Sequence, residues 1–258
     1  MANQSRILRI ASEGVGSNAG RHTRARLGFI VLAMEQTAEE DIYRHAPPGV
    51  GVHFTRVPMG NEPSVQTLLN TGLELRDAAS LLLPDDPPHV VCYTCTAASL
   101  LIGEAAAVEA MSIPGRASVA TTAAGASIRA LKALNARVVA VVTPYPEVIN
   151  EALIRRLTQE GIEVRKLVSL GVSTNTEVDR IDPNFLAELG VSLLAECPDA
   201  GALYYCCGAM RSIEVIEIVE RRSGRAVVTS NQAILWDSLR MAGVADRIAN
   251  LGSLFENH

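Results

Sequence analysis

Two cysteines are placed so that they could do chemistry together. Cys95 ends the apolar run in HVVCYTC and precedes TAASLLIGEAAAVEAM; Cys207 ends GALYYCC and precedes GAMRSIEVIEIVERR. Each falls where a strand-like segment gives way to a helix-like one, and the two segments resemble each other. Two thiols at matched places in similar halves would face one another across a cleft. One sulfur could then attack or take a proton while the other gives one. A thiol at a helix start meets unpaired N–H groups and partial positive charge, so a lowered pKa is expected at both positions. The same N–H groups can hold a substrate carboxylate, and Gly208 lets a ligand approach the backbone closely. A lone free cysteine is more often a small buried hydrophobe. The matching of the pair is what points to function.

The neighbouring residues divide by position. Cys92 alternates inward on its strand and Cys206 precedes the turn, so both are expected in the core; Cys197, beside Pro198, is expected to be incidental. Cys92-Tyr93-Thr94-Cys95 spells C-x-x-C. Zinc would want a second well-spaced pair, and adjacent Cys206 and Cys207 point in opposite directions along a strand, so no metal is expected. His22, His45, His53, His89 and His258 all lie outside the cysteine turns. The thiols must then serve as their own acid and base. Thr143-Pro144-Tyr145-Pro146 ends another strand, where Tyr145 is either a fixed donor for a carboxylate or a lid over apolar residues. Ser173-Thr174-Asn175-Thr176-Glu177 reads as a polar loop, either a source of an amide donor or a solvated turn.

What must position these residues is an alternation of short β-type runs with longer helical patterns, the mark of parallel sheet wrapped by helices. Strands are predicted at 27–32, 49–57, 89–94, 117–121, 137–143, 163–170, 202–206 and 226–230. Ile149, Ala152, Leu153 and Leu157 share a helix face that Gly161 can stop, and Asp182-Pro183 can start another helix. SIEVIEIVERRSG reads as one helix, with Glu217 and Arg221 spaced for an exposed ion pair. VATTAAGASIRALKALNA (119–136) aligns without gaps on VVTSNQAILWDSLRMAGV (227–244), and each follows a cysteine segment. This repeat predicts two Rossmann-like α/β lobes with parallel sheets related by a pseudo-twofold, and an active site between them. Lobe 1 is drawn as 27–118 plus 228–258, lobe 2 as 119–227, with 1–26 a flexible arm. Gly14, Gly16 and Gly20 in that arm nearly match a dinucleotide fingerprint, but no helix fits before the strand at Gly28.

The 258 residues suffice for two lobes of ordinary size, and 48% hydrophobic with 20% charged content is that of a globular protein. A net charge of −5 argues against nucleic acid as partner. No apolar stretch approaches a membrane span, the N-terminus lacks a signal-peptide pattern, and the odd cysteine count fits a reducing compartment, so a cytoplasmic location is expected.

On the stretches RLGFIVL, VVCYTCTAAS, VVTPYPEVINEAL, STNTEVDRI and the run from ALYYCC to LRMAG, the sequence resembles the Asp/Glu racemase superfamily, in the branch of maleate cis-trans isomerase and arylmalonate decarboxylase. The resemblance spans about 27–244. It implies a cofactor-free, metal-free isomerase acting on a small carboxylic acid, assembled as a homodimer or larger. It implies Cys95 and Cys207 as the catalytic pair, Tyr145 and Asn175 as carboxylate binders, and Thr96 as the hydroxyl residue of the anion pocket. The decarboxylase has glycine at the first cysteine position, so Cys95 speaks against decarboxylation. One turn departs: where the isomerases have proline-serine-serine-asparagine, this chain reads Leu32-Ala33-Met34-Glu35-Gln36-Thr37. Glu35 would repel a second carboxylate, and an acidic residue there is similar to a sub-branch associated with ectoine utilisation. The leading expectation is maleate-type cis-trans isomerisation through a covalent cysteine adduct. The alternative is a two-thiol racemase working at an α-carbon of an amino-acid-like or ectoine-derived substrate, with a decarboxylase or a catalytically silent binding protein behind it.

Overall fold

The computed structural model describes Ser12 and residues 15–60, 63–172 and 174–258. The first half runs β1 (Ala25–Leu32), α1 (Ala38–His45), β2 (Val50–Val57), α2 (Val65–Leu81), β3 (Val90–Tyr93), α3 (Thr96–Ile102), α4 (Glu104–Met111), β4 (Val119–Thr122) and α5 (Ala123–Ala133). The second runs β5 (Val138–Thr143), α6 (Glu147–Gln159), β6 (Glu163–Ser169), α7 (Asn175–Asp179), α8 (Pro183–Glu196), β7 (Ala202–Tyr205), a 3-10 turn (Ser212–Val215), α9 (Ile216–Ser223), β8 (Ala226–Thr229), α10 (Ser230–Met241) and α11 (Gly252–Asn257). All eight predicted strands form. They make two parallel sheets of identical order, β2-β1-β3-β4 and β6-β5-β7-β8. The central strands are continuous apolar runs because helices cover both faces; Phe29, Ile30, Val31 and Val139 to Val142 are fully buried.

This order has a topological switch point between β1 and β3, and again between β5 and β7. Chain leaving the two inner strands turns to opposite sides there and opens a crevice at their carboxyl ends. Both cysteines follow such strands.

The repeat has a physical basis in its caps. Thr122 accepts from the Gly125 N–H to start α5, and Thr229 accepts from the Gln232 N–H to start α10. Having left its own sheet, α10 packs on α5, α1 and the strands β1, β3 and β4 of the other. Arg129 of α5 pairs with buried Asp237 of α10, whose second oxygen accepts from the Thr121 hydroxyl at 2.7 Å. The helices therefore exchange between halves, while the strands do not. Residues 119–122, assigned from sequence to lobe 2, pair with β3 in the first sheet. The change of sheet falls after the strand, because a ladder must be completed before the chain can cross over.

Three smaller expectations change. β1 begins at Ala25, and the segment just before it is tied down: the Arg24 N–H donates to Gly49 O at 3.0 Å, and its guanidinium pairs with Asp246. Gly14 and half of the predicted arm lie outside the described residues. The SIEVIEIVERRSG segment divides into the 3-10 turn and α9, whose ion pair joins Arg222 to Glu188 of α8. The 173–177 stretch is not a loop beyond Thr174. Thr174 and Glu177 form a capping box that starts α7, a T-x-x-E signal present in the sequence; Ser173 lies outside the described residues.

Candidate active site

A cavity of about 450 Å³ lies between the two sheets, at the carboxyl ends of their inner strands. Glu35, Cys95, Thr96, Tyr145, Asn175, Cys207 and Gly208 all line it. The turns after β1 and β5 contribute Glu35 and Tyr145; those after β3 and β7 contribute Cys95 and Cys207. Much of the remaining wall is apolar, with Met34, Met59, Leu68 and Ile149 among its residues. No histidine is among the described residues that line it.

Cys95 is the N-cap of α3, and its sulfur accepts from the Ala98 N–H at 3.4 Å. Cys207 is not at a helix start. It sits in a turn before the 3-10 segment, where Met210 N–H makes a long bond to Cys207 O (3.4 Å). Its sulfur is met by the N–H groups of Ala209 and Met210 and by the Tyr145 hydroxyl.

The expected lowering of the thiol pKa values does not occur. Burial pushes Cys95 up to about 12, with the charges of Cys207 and Glu35 adding and the Ala98 N–H opposing. Burial likewise pushes Cys207 up to about 11, opposed by Tyr145 and the two turn amides, with Glu35 again adding. The apolar walls remove the water that would solvate a thiolate, and this outweighs the donors aimed at each sulfur. Both sulfurs are therefore thiols at neutral pH.

Tyr145 is held firmly. Its carbonyl accepts from Asn150 Nδ2 (2.8 Å) and Ser169 Oγ (2.6 Å), and Thr143 Oγ1 donates to Asn150 Oδ1 (2.7 Å). Burial raises its phenol pKa, so it is a hydrogen-bond donor throughout the neutral range. Thr96 is less free than expected, since its hydroxyl donates to Ser230 Oγ of α10 at 3.1 Å. Asn175 lies in the first turn of α7, at the cavity wall.

Glu35 does two things at once. Its Oε1 accepts from the N–H groups of Gln36 (3.1 Å), Thr37 (2.8 Å) and Ala38 (3.1 Å), capping α1. Its Oε2 points towards Gly208, 4.0 Å from where a Cβ would stand. The carboxylate is thus fixed by a helix start and presented to the cavity.

The other cysteines do not line the cavity. Cys92 faces α10, near Asp237 and Ser238, on the far side of β3 from Cys95. Cys206 is fully buried against Tyr204 and Tyr145. Cys197 caps α8 inside the core. Among the described residues, no group of three or more His, Cys, Asp or Glu converges as a metal would require.

Sequence reasoning missed the residues behind the Cys207 turn. Asn231 Nδ2 donates to Gly208 O and to Asp41 Oδ2, both at 2.8 Å, and Thr37 Oγ1 lies 3.1 Å from Ala209 O. The one signal for Asn231 was its place in the polar T-S-N-Q run after β8; Asp41 and Thr37 carried none.

A family model described as arylmalonate decarboxylase matches residues 89–255. The maleate isomerase of Nocardia farcinica is 28% identical over 241 residues, covering 89% of this chain and 94% of that protein. The crystal structure of the maleate isomerase Iso from Pseudomonas putida S16 superposes with a TM-score of 0.82 at 27% identity, covering 90% of this chain and 98% of the other. A cysteine-to-serine mutant of the Nocardia farcinica maleate cis-trans isomerase, carrying a covalently bound succinylcysteine intermediate, matches with a TM-score of 0.81 at 27% identity, over 91% and 99% of the two chains.

Proposed function

The chain belongs to the arylmalonate decarboxylase family and is an isomerase, and from that premise we propose that it acts on a small carboxylic acid by two-thiol chemistry, with cis-trans isomerisation of a maleate-type substrate as the leading case. The observation that carries this is the pair of thiols lining one cavity from equivalent strand ends, close enough that the charge of Cys207 bears on the ionisation of Cys95. In this reading Cys95 first gives its proton to solvent and, as thiolate, forms a bond to one alkene carbon while Cys207 gives its proton to the other. The remaining C–C single bond rotates. Return of the proton to Cys207 and breaking of the C–S bond release the trans isomer. Tyr145 and Asn175 hold a substrate carboxylate, and the amides facing Cys207 offset the charge left on that sulfur. Ionisation of the first thiol is the demanding step, because burial opposes it.

A specific observation favours a second reading. The Glu35 carboxylate faces the cavity, and a second carboxylate about 4 Å away would be opposed by about 4 kcal/mol at an effective dielectric of about 20. That selects an acid whose far end is neutral or cationic, on which two thiols across one carbon would exchange an α-proton between faces. Proton NMR in deuterium oxide with a panel of small unsaturated and α-substituted acids separates the two. Vinylic signals that interconvert without solvent exchange support isomerisation; deuterium entering an α-carbon supports racemisation. Turnover of neither class would sink both.

A further inference from the structure

The turn that carries Cys207 is held from outside by its carbonyl groups. In a planar trans peptide the C=O and the following N–H point in opposite directions, so fixing one aims the other. The peptide joining Gly208 to Ala209 has its carbonyl held by Asn231 Nδ2 at 2.8 Å, and its N–H faces the Cys207 sulfur. The peptide joining Ala209 to Met210 has its carbonyl 3.1 Å from Thr37 Oγ1, and its N–H, which makes the long bond to Cys207 O, also favours the thiolate of that sulfur, though less than the Ala209 N–H does.

Asn231 is itself oriented. It is 3% exposed, and the same Nδ2 donates to Asp41 Oδ2 at 2.8 Å. Two acceptors on one side require the nitrogen there and turn the amide oxygen away. That oxygen is buried with no partner among the described residues, 3.0 Å from where a Cβ on Gly208 would lie. An unsatisfied buried acceptor is unfavourable, so the arrangement persists because both amide hydrogens are engaged. The small residue at 208 gives the amide its room.

We propose that Asn231, oriented by Asp41 and assisted by Thr37, is a positioning residue that aims the Ala209 and Met210 N–H groups at Cys207 and so sets how readily that sulfur becomes a thiolate. The role rests on reading Cys207 as a working thiol, but it is tested on the sulfur directly, so failure of one is distinguishable from failure of the other.

The experiment is the pH dependence of iodoacetamide labelling, resolved by peptide mass spectrometry at Cys207 and at Cys95 in the same sample. Loss of one bond to a charged sulfur shifts an ionisation midpoint by about one pH unit, so Asn231→Ala should label Cys207 about tenfold more slowly at a given pH below that midpoint. Cys95, served by α3, should shift far less. Thr37→Val should shift Cys207 in the same direction by less, because the Thr37 hydroxyl has one proton and also lies 3.2 Å from Asp179 Oδ1. Thr37→Ser, which keeps the hydroxyl, should restore the wild-type midpoint. An unchanged Cys207 midpoint in both Asn231→Ala and Thr37→Val, or equal shifts at the two cysteines, would overturn the proposal. So would a Thr37→Ser shift as large as that of Thr37→Val. Should Asn231→Ala fail to fold, the Thr37 pair decides alone.

Discussion

The two cysteine turns occupy equivalent places in the two sheets, yet they are built differently. Cys95 is held by its own neighbourhood: it caps α3, takes the Ala98 N–H three residues on, and gives its carbonyl to Ser99 N at 2.9 Å. Cys207 has no helix of its own at that point. Its donors are turn amides, aimed by Asn231 and Thr37, together with Tyr145 from the neighbouring strand end. A helix start delivers N–H groups automatically, as a consequence of its geometry. A turn delivers them only if something distant pins its carbonyls. Quasi-symmetric sites can therefore match in the position of a side chain while differing in what makes it reactive.

The sharpest way to break the comparison is to remove each sulfur. Cys95→Ala and Cys207→Ala should each lower turnover by at least about a thousandfold, since groups that act as a unit fail together. Cys92→Ala, Cys197→Ala and Cys206→Ala should keep most of it, in steady-state assays on whichever acid the NMR panel identifies. Substantial turnover in either of the first two variants would end the two-thiol reading.

The network behind Cys207 contains a buried carboxyl, and its charge should be visible in stability. Burial raises the Asp41 carboxyl from 3.8 to about 6, opposed by the Asn231 bond and by Arg44, with Glu214 and Glu35 adding. Between those values the folded protein keeps a proton that the unfolded chain has lost. Stability should therefore fall as pH rises from about 4 to about 6, by about 3 kcal/mol in all, and stay lower above. Asp41→Asn removes that slope. In urea unfolding it should be the more stable protein at pH 7, with the advantage closing as pH approaches 4. A constant difference across that range would contradict the assignment.

A smaller effect tests what the two turns share. Glu35 pushes both thiols up. Glu35→Gln keeps an oxygen for the α1 N–H groups but removes the charge, so both cysteines should label faster, by about threefold to tenfold, and dicarboxylates should bind better. Thermal stability should drop by about 0.5–1 kcal/mol, the value of a charge at a helix start. Faster labelling of only one cysteine would place Glu35 nearer that sulfur alone.

Local signals in the sequence determined a large share of this protein. Alternating β-type runs and helical periods placed all eight strands, because continuous apolar runs of this length have nowhere to go but the middle of a covered sheet. Threonine caps made the repeat visible, and the repeat located both cysteines at the mouths of inner strands. The resemblance then supplied Tyr145, Asn175, Thr96 and the unusual Glu35, all of which line the cavity. Each of these rests on residues a few places apart, where a pattern of types implies geometry.

Only the tertiary structure decided the rest. Strand 119–122 stays in the first sheet because its ladder partner is β3, a contact about 29 residues away that no local pattern encodes. The thiols sit above their ordinary pKa because walls contributed by several elements exclude water, and desolvation is a property of the assembled cavity. Asp41, Thr37 and Asn231 come from α1 and α10, far apart in sequence, and meet at Gly208 and Ala209 only because α10 crosses to the opposite sheet. Sequence spacing names the residues that cap a helix. It cannot name the residues that hold a turn from the other half of the molecule, because that distance is set by packing and not by the chain.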